Sequence, residues 1–215
     1  MGDIAAWLLL QGVAIGVAVA APVGPVGILC MTRTLERGPA IGLATGMGAA
    51  VADGLYGAMA ALGMGTAAHA LIEEAFWFRL AGGIFLILLA IRSLARGLRR
   101  RRRLEPLTMA EARVGDLGVA FISTVFITIS NPATILTFAG IFAATSFAAL
   151  GDHPGAGAAL VAGVFAGSAV WWLFLVGVTA RLRHKLAGSV RLAIDLASAS
   201  AFVVFGAVVL WGAWA

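Results

Sequence analysis

Apolar residues run along this chain in long blocks with almost no polar interruption. Six stretches stand out: Ile4 to Thr32, Pro39 to Ala68, Ala75 to Ile91, Leu117 to Gly151, Pro154 to Ala180 and Leu196 to Ala215. Only Asp53 breaks the second and only Arg79 the third. Each stretch can supply the ~20 apolar residues that cross about 30 Å of hydrocarbon. None alternates with a period of two, as a strand of a membrane barrel would, and a helix satisfies its own backbone in lipid. The pattern predicts an all-α integral membrane protein with six transmembrane helices. The fourth stretch is long for one span and short for two helices and a turn, so it reads as one helix interrupted near Asn131-Pro132.

Composition agrees with the pattern. The 215 residues are 61% hydrophobic and 12% charged, against roughly 25% charged in a soluble chain, and the mean hydropathy is +1.01. A soluble enzyme, a disordered hub and a secreted disulfide scaffold are excluded. Cys30 is the only cysteine, so no intramolecular disulfide and no dithiol chemistry is available.

Charge gives orientation. Arg33 and Arg37 fall between spans one and two. Arg92, Arg96, the run Arg99 to Arg103 and Arg113 fall between three and four, and Arg181, Arg183, Lys185 and Arg191 between five and six. Fourteen of the fifteen Lys and Arg residues thus occupy alternate loops, while Glu73-Glu74 and Asp152 occupy the others. Basic loops stay cytoplasmic, which places both termini outside a multi-pass inner (plasma) membrane protein. Met1-Gly2-Asp3-Ile4 has no basic region of the kind that opens a cleaved signal peptide. The pI near 11.0 therefore reflects topology anchors attracted to anionic membrane lipids rather than a nucleic-acid surface. Residues 104–116 form the real linker, with a short surface helix expected near Met109 to Ala112.

That basic linker, taken as 99–116, separates residues 1–98 from 117–215, each with three spans. Pro22-Val23-Gly24-Pro25 in span one faces Asn131-Pro132 in span four. Gly48-Ala49-Ala50-Val51 in span two matches Gly167-Ser168-Ala169-Val170 in span five, and Gly83 to Leu89 matches Ser200 to Gly206 loosely. An odd number of spans per half forces the second half into the membrane upside down. Two inverted three-helix repeats with broken helices at equivalent places are a signature of secondary transporters.

Proline inside a helix removes a hydrogen bond and clashes with the preceding turn, so Pro22, Gly24 and Pro25 predict a break in span one. Freed carbonyls then face freed amides, and the amides with the helix dipole favour a carboxylate. A kink filled by neighbouring helices is the alternative. Asn131 beside Pro132 can bind ligand or cap the broken end, whereas Thr128, Ser130 and Thr134 read as satisfying backbone groups locally.

Asp53 is the sharpest single residue, because an acid at mid-span costs roughly 2.5–3.5 kcal/mol to insert. It reads as a proton carrier, an amine counter-charge or a cation ligand, against an ion pair or hydrogen bond that only locks helices. Tyr56, three residues on, shares its face. Trp171 and Trp172 lie in the middle of span five, where lining a cavity and packing between helices are equal readings. Asp195 reads as a surface partner of Arg191, and Gln11 and Cys30 as packing residues. The glycine spacing at Gly42, Gly46 and Gly48 permits close helix contact, and the runs of small residues permit a homodimer. His69, His153 and His184 fall in loops on opposite sides, so no metal centre, catalytic triad or cofactor is expected.

The segment Ala21-Pro22-Val23-Gly24-Pro25-Val26-Gly27, the Gly-rich run from Gly42 through Asp53 to Tyr56, and Phe126 to Pro132 together resemble the lysine exporter (LysE/RhtB) family along the whole chain. The resemblance implies a non-enzymatic exporter of amino acids or their derivatives, with the proton as coupling ion. The substrate would bind at Pro22, Gly24, Pro25, Asp53, Tyr56, Asn131 and Pro132, with proton coupling at Asp53. The competing reading is an exporter of heavy-metal or other cations, for which Asp53, Asn131, Asp195 and Cys30 are a thin ligand set.

Overall fold

The computed structural model describes residues 2–22, 24–61, 75–102, 114–131, 134–135, 137–138, 155–183 and 188–214. Every regular element among them is helical: α1 (Gly2–Ala20), α2 (Pro25–Arg37), α3 (Pro39–Ala61), α4 (Ala75–Arg102), α5 (Val114–Ile129), α6 (Ala156–Arg183) and α7 (Gly188–Trp214). Val23, Pro132, the three histidines and the surface helix expected near Met109 lie outside the described residues, as do the side chains of Arg191 and Asp195.

The first apolar stretch is two helices. α1 and α2 meet at 79° across residues 21–24, as two prolines and a glycine within four residues demand. Arg33 and Arg37, expected in a loop, instead belong to α2, and Gly38 alone joins α2 to α3. That corner is possible because Gly38 takes φ 96°, a region costly for any side chain. Pro39 then opens α3, where its missing N–H has no intrahelical role. α4 continues through the basic run as far as Arg102.

Gly157–Leu182 is, among the described residues, long and apolar enough to cross a membrane alone, and Ile4–Ala20 with Pro25–Arg37 qualifies as one bent span. Leu86–Ala95, Gly115–Ile129 and Leu196–Val208 are shorter apolar helices. α3 is long, but Asp53, Thr45 and its glycines dilute its hydropathy.

Packing follows the small residues. Gly12 of α1 meets Gly163 of α6, where a Cβ on Gly12 would stand 2.9 Å from the Gly163 Cα, while Gly16 lies against the backbone of Val164 and Ser168 and Gly167 against that of Val13. Glycine at every fourth position on both helices lets the backbones touch. The residue order of these contacts makes α1 and α6 parallel. α3 crosses α6 in the opposite sense, with Gly46 under Trp172 and Gly57 against Val164. α3 and α5 run parallel, with Gly48 beside Phe121 and Tyr56 beside Ile129. α4 and α7 run antiparallel through the mutual approach of Gly83 and Gly206. All seven helices contribute to one core, which includes Ala20, Val26, Cys30, Ala49, Leu86, Ile127, Trp172 and Phe202. Large apolar side chains such as Leu10, Ile122, Leu173 and Val208 face outward.

Candidate functional site

The two predicted breaks have different chemistry. At the first, Gly24 is the extended residue preceding α2 and no side chain caps that end. Its carbonyl accepts from the Ile28 amide at 3.1 Å, and Pro25 contributes no N–H. The remaining first-turn amides have no intrahelical acceptor. Pro22 is exposed, Gly24 half-buried and Pro25 buried.

The second break ends α5 at Ile129. The Ser130 amide donates to the Phe126 carbonyl at 2.9 Å, and the Asn131 amide donates to Thr128 at 3.2 Å, one residue short of helical register. A proline at 132 has no N–H to offer Thr128, and Asn131 takes that role. Helical backbone resumes beyond it, with the Ile135 amide donating to the Asn131 carbonyl at 3.1 Å. The carbonyl of Ile129, at the end of α5, accepts a 2.6 Å bond from the Tyr56 hydroxyl. The Tyr56 ring stacks on Phe138 with centroids 5.0 Å apart. Tyr56 therefore ties α3 to the end of a helix that is distant in sequence.

Asp53 lies on the same face of α3, 2% exposed. Its Oδ2 accepts a 2.6 Å bond from the Ser168 hydroxyl, and Ser168 in turn accepts one from the Trp172 indole at 3.1 Å. Ser168 and Trp172 are four residues apart on α6, so one face of that helix presents both. No Arg or Lys pairs with Asp53 among the described residues, whereas Arg37 pairs with Asp116 at 2.9 Å, both half-exposed. Of the sequence-predicted residues, Asp53 and Tyr56 share a face of α3, and Tyr56 reaches the end of α5 at Ile129, two residues before Asn131. The first break joins them through packing, since Ala20 and Val26 share a core with Ala49 and Trp172. Trp172 is buried and hydrogen-bonded, while Trp171 packs against Phe174 at 5.7 Å.

Two features depart from the expectation. Thr128 and Ser130 do not satisfy backbone groups: both hydroxyls are buried without a hydrogen-bond partner among the described residues. Arg33, read as a topology anchor, is part-buried and reaches across three helices. Its Nη1 donates to Thr45 Oγ1 (3.2 Å), Thr124 Oγ1 (3.0 Å) and the Ala120 carbonyl (3.2 Å), and its Nη2 to Ser123 Oγ (3.1 Å). The only sequence clue was the polar run Ser123-Thr124 in an apolar span.

A buried carboxyl group hydrogen-bonded between two helices of an apolar bundle fits a transport protein, and one comparison decides the class. The profile described as LysE type translocator matches residues 17–212. The chain belongs to the LysE type translocator family. No curated protein and no solved structure matches it. Membership makes this a membrane translocator acting on a small molecule, and the matched region contains both breaks, Asp53 and Tyr56. Within this LysE type translocator, no three His, Cys, Asp or Glu side chains among the described residues converge as metal ligands would.

Proposed function

We propose that this translocator is a proton-coupled secondary exporter of amino acids or their derivatives in the inner (plasma) membrane. Asp53 engages the substrate amine or exchanges a proton against it. The uncapped amides at the start of α2, with Asn131 and Pro132, receive the carboxylate and other polar groups. Residues 1–98 and 117–215 act as inverted three-helix halves that rock about this site in alternating access.

The single observation that carries the reading is the Asp53–Ser168 bond: a buried acid of the first half is held by a hydroxyl of the second, with no cationic partner among the described residues. Helix directions support the topology. Six spans that alternate in direction require parallel pairing of α1 with α6 and of α3 with α5. They also require antiparallel pairing of α3 with α6 and of α4 with α7, and those are the pairings present. Trp7, Trp77 and Trp211 are exposed at the helix ends assigned to the outside, where an aromatic belt belongs.

Counterflow in proteoliposomes tests this, loading L-amino acids and divalent cations in turn at several pH values, with Asp53→Asn alongside. The expected result is amino-acid exchange that is weaker in the variant and loses its pH dependence. An unchanged rate and pH profile in Asp53→Asn would remove Asp53 from the mechanism. Exchange of cations alone would favour the competing reading.

A further inference from the structure

Four buried threonines set a pattern that Ser168 breaks. Thr34, Thr45, Thr124 and Thr179 each donate to the carbonyl four residues earlier, at 2.7–2.8 Å. This is the usual resort of a hydroxyl inside an apolar helix. Ser168 has the same option at Val164, yet it donates across to Asp53 Oδ2 on α3 at 2.6 Å. Its acceptor side is taken by the Trp172 indole, 3.1 Å away and one turn later on α6. An indole N–H only donates and a serine hydroxyl has a single proton. The chain of bonds therefore runs one way, from Trp172 to Ser168 to Asp53.

Packing holds that chain in place. Asp53, Ser168 and Trp172 are all buried. A Cβ on Gly46 would stand 2.6 Å from the Trp172 Cβ, so α3 leaves room for the tryptophan two turns before Asp53. The other titratable groups on the helices around Asp53 are engaged or remote. On α3, Tyr56 is committed to the Ile129 carbonyl. On α2, Cys30 donates to the Gly42 carbonyl and Arg33 to Thr45, and Thr45 lies roughly 12 Å along α3 from Asp53. Glu36 and Arg37 follow at the end of α2, and Asp116 of α5 pairs with Arg37. The charges of α1 and α6, Asp3 and Arg181 with Arg183, stand in their end turns. Within Asp53 the two oxygens are unequal. Oδ2 accepts from Ser168, and Oδ1 accepts from none of the described residues. A carboxylate and a neutral carboxylic acid both keep an acceptor oxygen, so a donor fixed at Oδ2 is satisfied in either state.

We infer that Ser168 and Trp172 are positioning residues for proton coupling, which keep Oδ2 of Asp53 as a standing acceptor and assign the exchanged proton to Oδ1. This deepens the exporter reading above and rests on its proton-coupled form. Oδ1 takes the proton from water on one side of the membrane and returns it to water on the other. The carboxylate becomes a neutral acid and then a carboxylate again, while Ser168 and Trp172 neither gain nor lose a proton. A hydroxyl binds a carboxylate more strongly than a neutral acid, so the two residues also set the pH at which exchange runs.

The test uses Ser168→Ala, Ser168→Cys and Trp172→Phe in the full chain, with Asp53→Asn as the blank. Three readouts are taken: the pH midpoint of L-amino-acid counterflow, melting temperature in detergent, and the carboxylic-acid C=O stretch in infrared difference spectra between high and low pH. Ser168→Ala should move the midpoint about one pH unit higher, as loss of a hydrogen bond to a charged group implies. Ser168→Cys, a weaker donor of similar size, should fall between it and wild type. Trp172→Phe should shift the midpoint the same way by less. The stretch should vanish in Asp53→Asn and rise in frequency in Ser168→Ala, because a carbonyl oxygen relieved of its donor has a stiffer bond. Wild-type midpoints in both Ser168→Ala and Trp172→Phe, whatever their melting temperatures, would overturn the inference in favour of a structural role. A stretch that keeps its frequency in Ser168→Ala would overturn the assignment of the proton to Oδ1. Wild-type exchange without pH dependence would overturn proton coupling, and the inference with it. Wild type that exchanges no amino acid would overturn the exporter reading and leave the infrared spectra to decide the Oδ1 assignment.

Discussion

Asp53 is held by one hydroxyl, and that simplicity makes it testable. Ser168 donates to the carboxylate and receives the Trp172 indole N–H, so the chain of bonds fixes the orientation of an otherwise unpaired acid. Hydrogen bonds of this kind inside membrane bundles are worth about 0.6 kcal/mol on average and at most about 1.7. Ser168→Ala is therefore expected to cost about 1 kcal/mol in detergent unfolding, and to slow counterflow more than that loss explains, because the carboxyl becomes free to turn. Trp172→Phe keeps the packing and the Ser168–Asp53 bond but removes the indole donor. It should fall between wild type and Ser168→Ala in both measurements. Equal effects from the two variants would mean that the aromatic volume, not the hydrogen bond, sets the site.

At the scale of elements, contrasts among helix pairs predict contrasts among variants. α1 and α6 touch through backbone, so a methyl at Gly12 or Gly163 meets main-chain atoms that cannot rotate away. Gly12→Ala and Gly163→Ala should each destabilise by about 1–3 kcal/mol, whereas the outward-facing Leu10→Ala should change thermal unfolding by less than about 0.5. At the end of α2, two arginines differ in kind. Arg37 pairs with Asp116 where both are half-exposed, and such pairs contribute about 0–1 kcal/mol. Arg33 joins α2 to α3 and α5 through four acceptors on a fork that lysine cannot reproduce. Arg33→Lys should thus lower stability clearly more than Asp116→Asn when both are unfolded side by side. Because α2 belongs to the first half and α5 to the second, Arg33→Lys should also alter the exchange rate.

The whole molecule has one further testable property, its orientation. Cys30 is fully buried and should not react with a membrane-impermeant thiol reagent in right-side-out vesicles. In a Cys30→Ser background, a cysteine replacing exposed Trp77 should label from outside. One replacing exposed Gly115 should label only after the membrane is opened. The reverse pattern would invert the proposed topology, and labelling of both from one side would refute an odd number of spans per half.

Much of this was legible in the sequence because it depends on local chemistry. Pro22, Gly24 and Pro25 dictate a break wherever that segment sits, and Asn131-Pro132 dictates another, since a ring without an N–H fails in any helix interior. Apolar blocks that do not alternate give an all-helical chain, and an acid in mid-span marks Asp53. What lay beyond the sequence is contact between distant segments. Ser168 is one serine among several until α6 crosses α3 and sets it against Asp53. Tyr56 becomes the cap of Ile129 only through the parallel register of α3 and α5. Arg33 follows the same charge rule as every other loop arginine until the one-residue corner at Gly38 keeps it inside the bundle. Thr128 and Thr124 are alike in sequence, and only the tertiary structure leaves one bonded and the other unpartnered. Local backbone chemistry determines where helices run and fail; which polar groups meet is decided by packing, because burial makes each of them depend on a partner that another helix must bring.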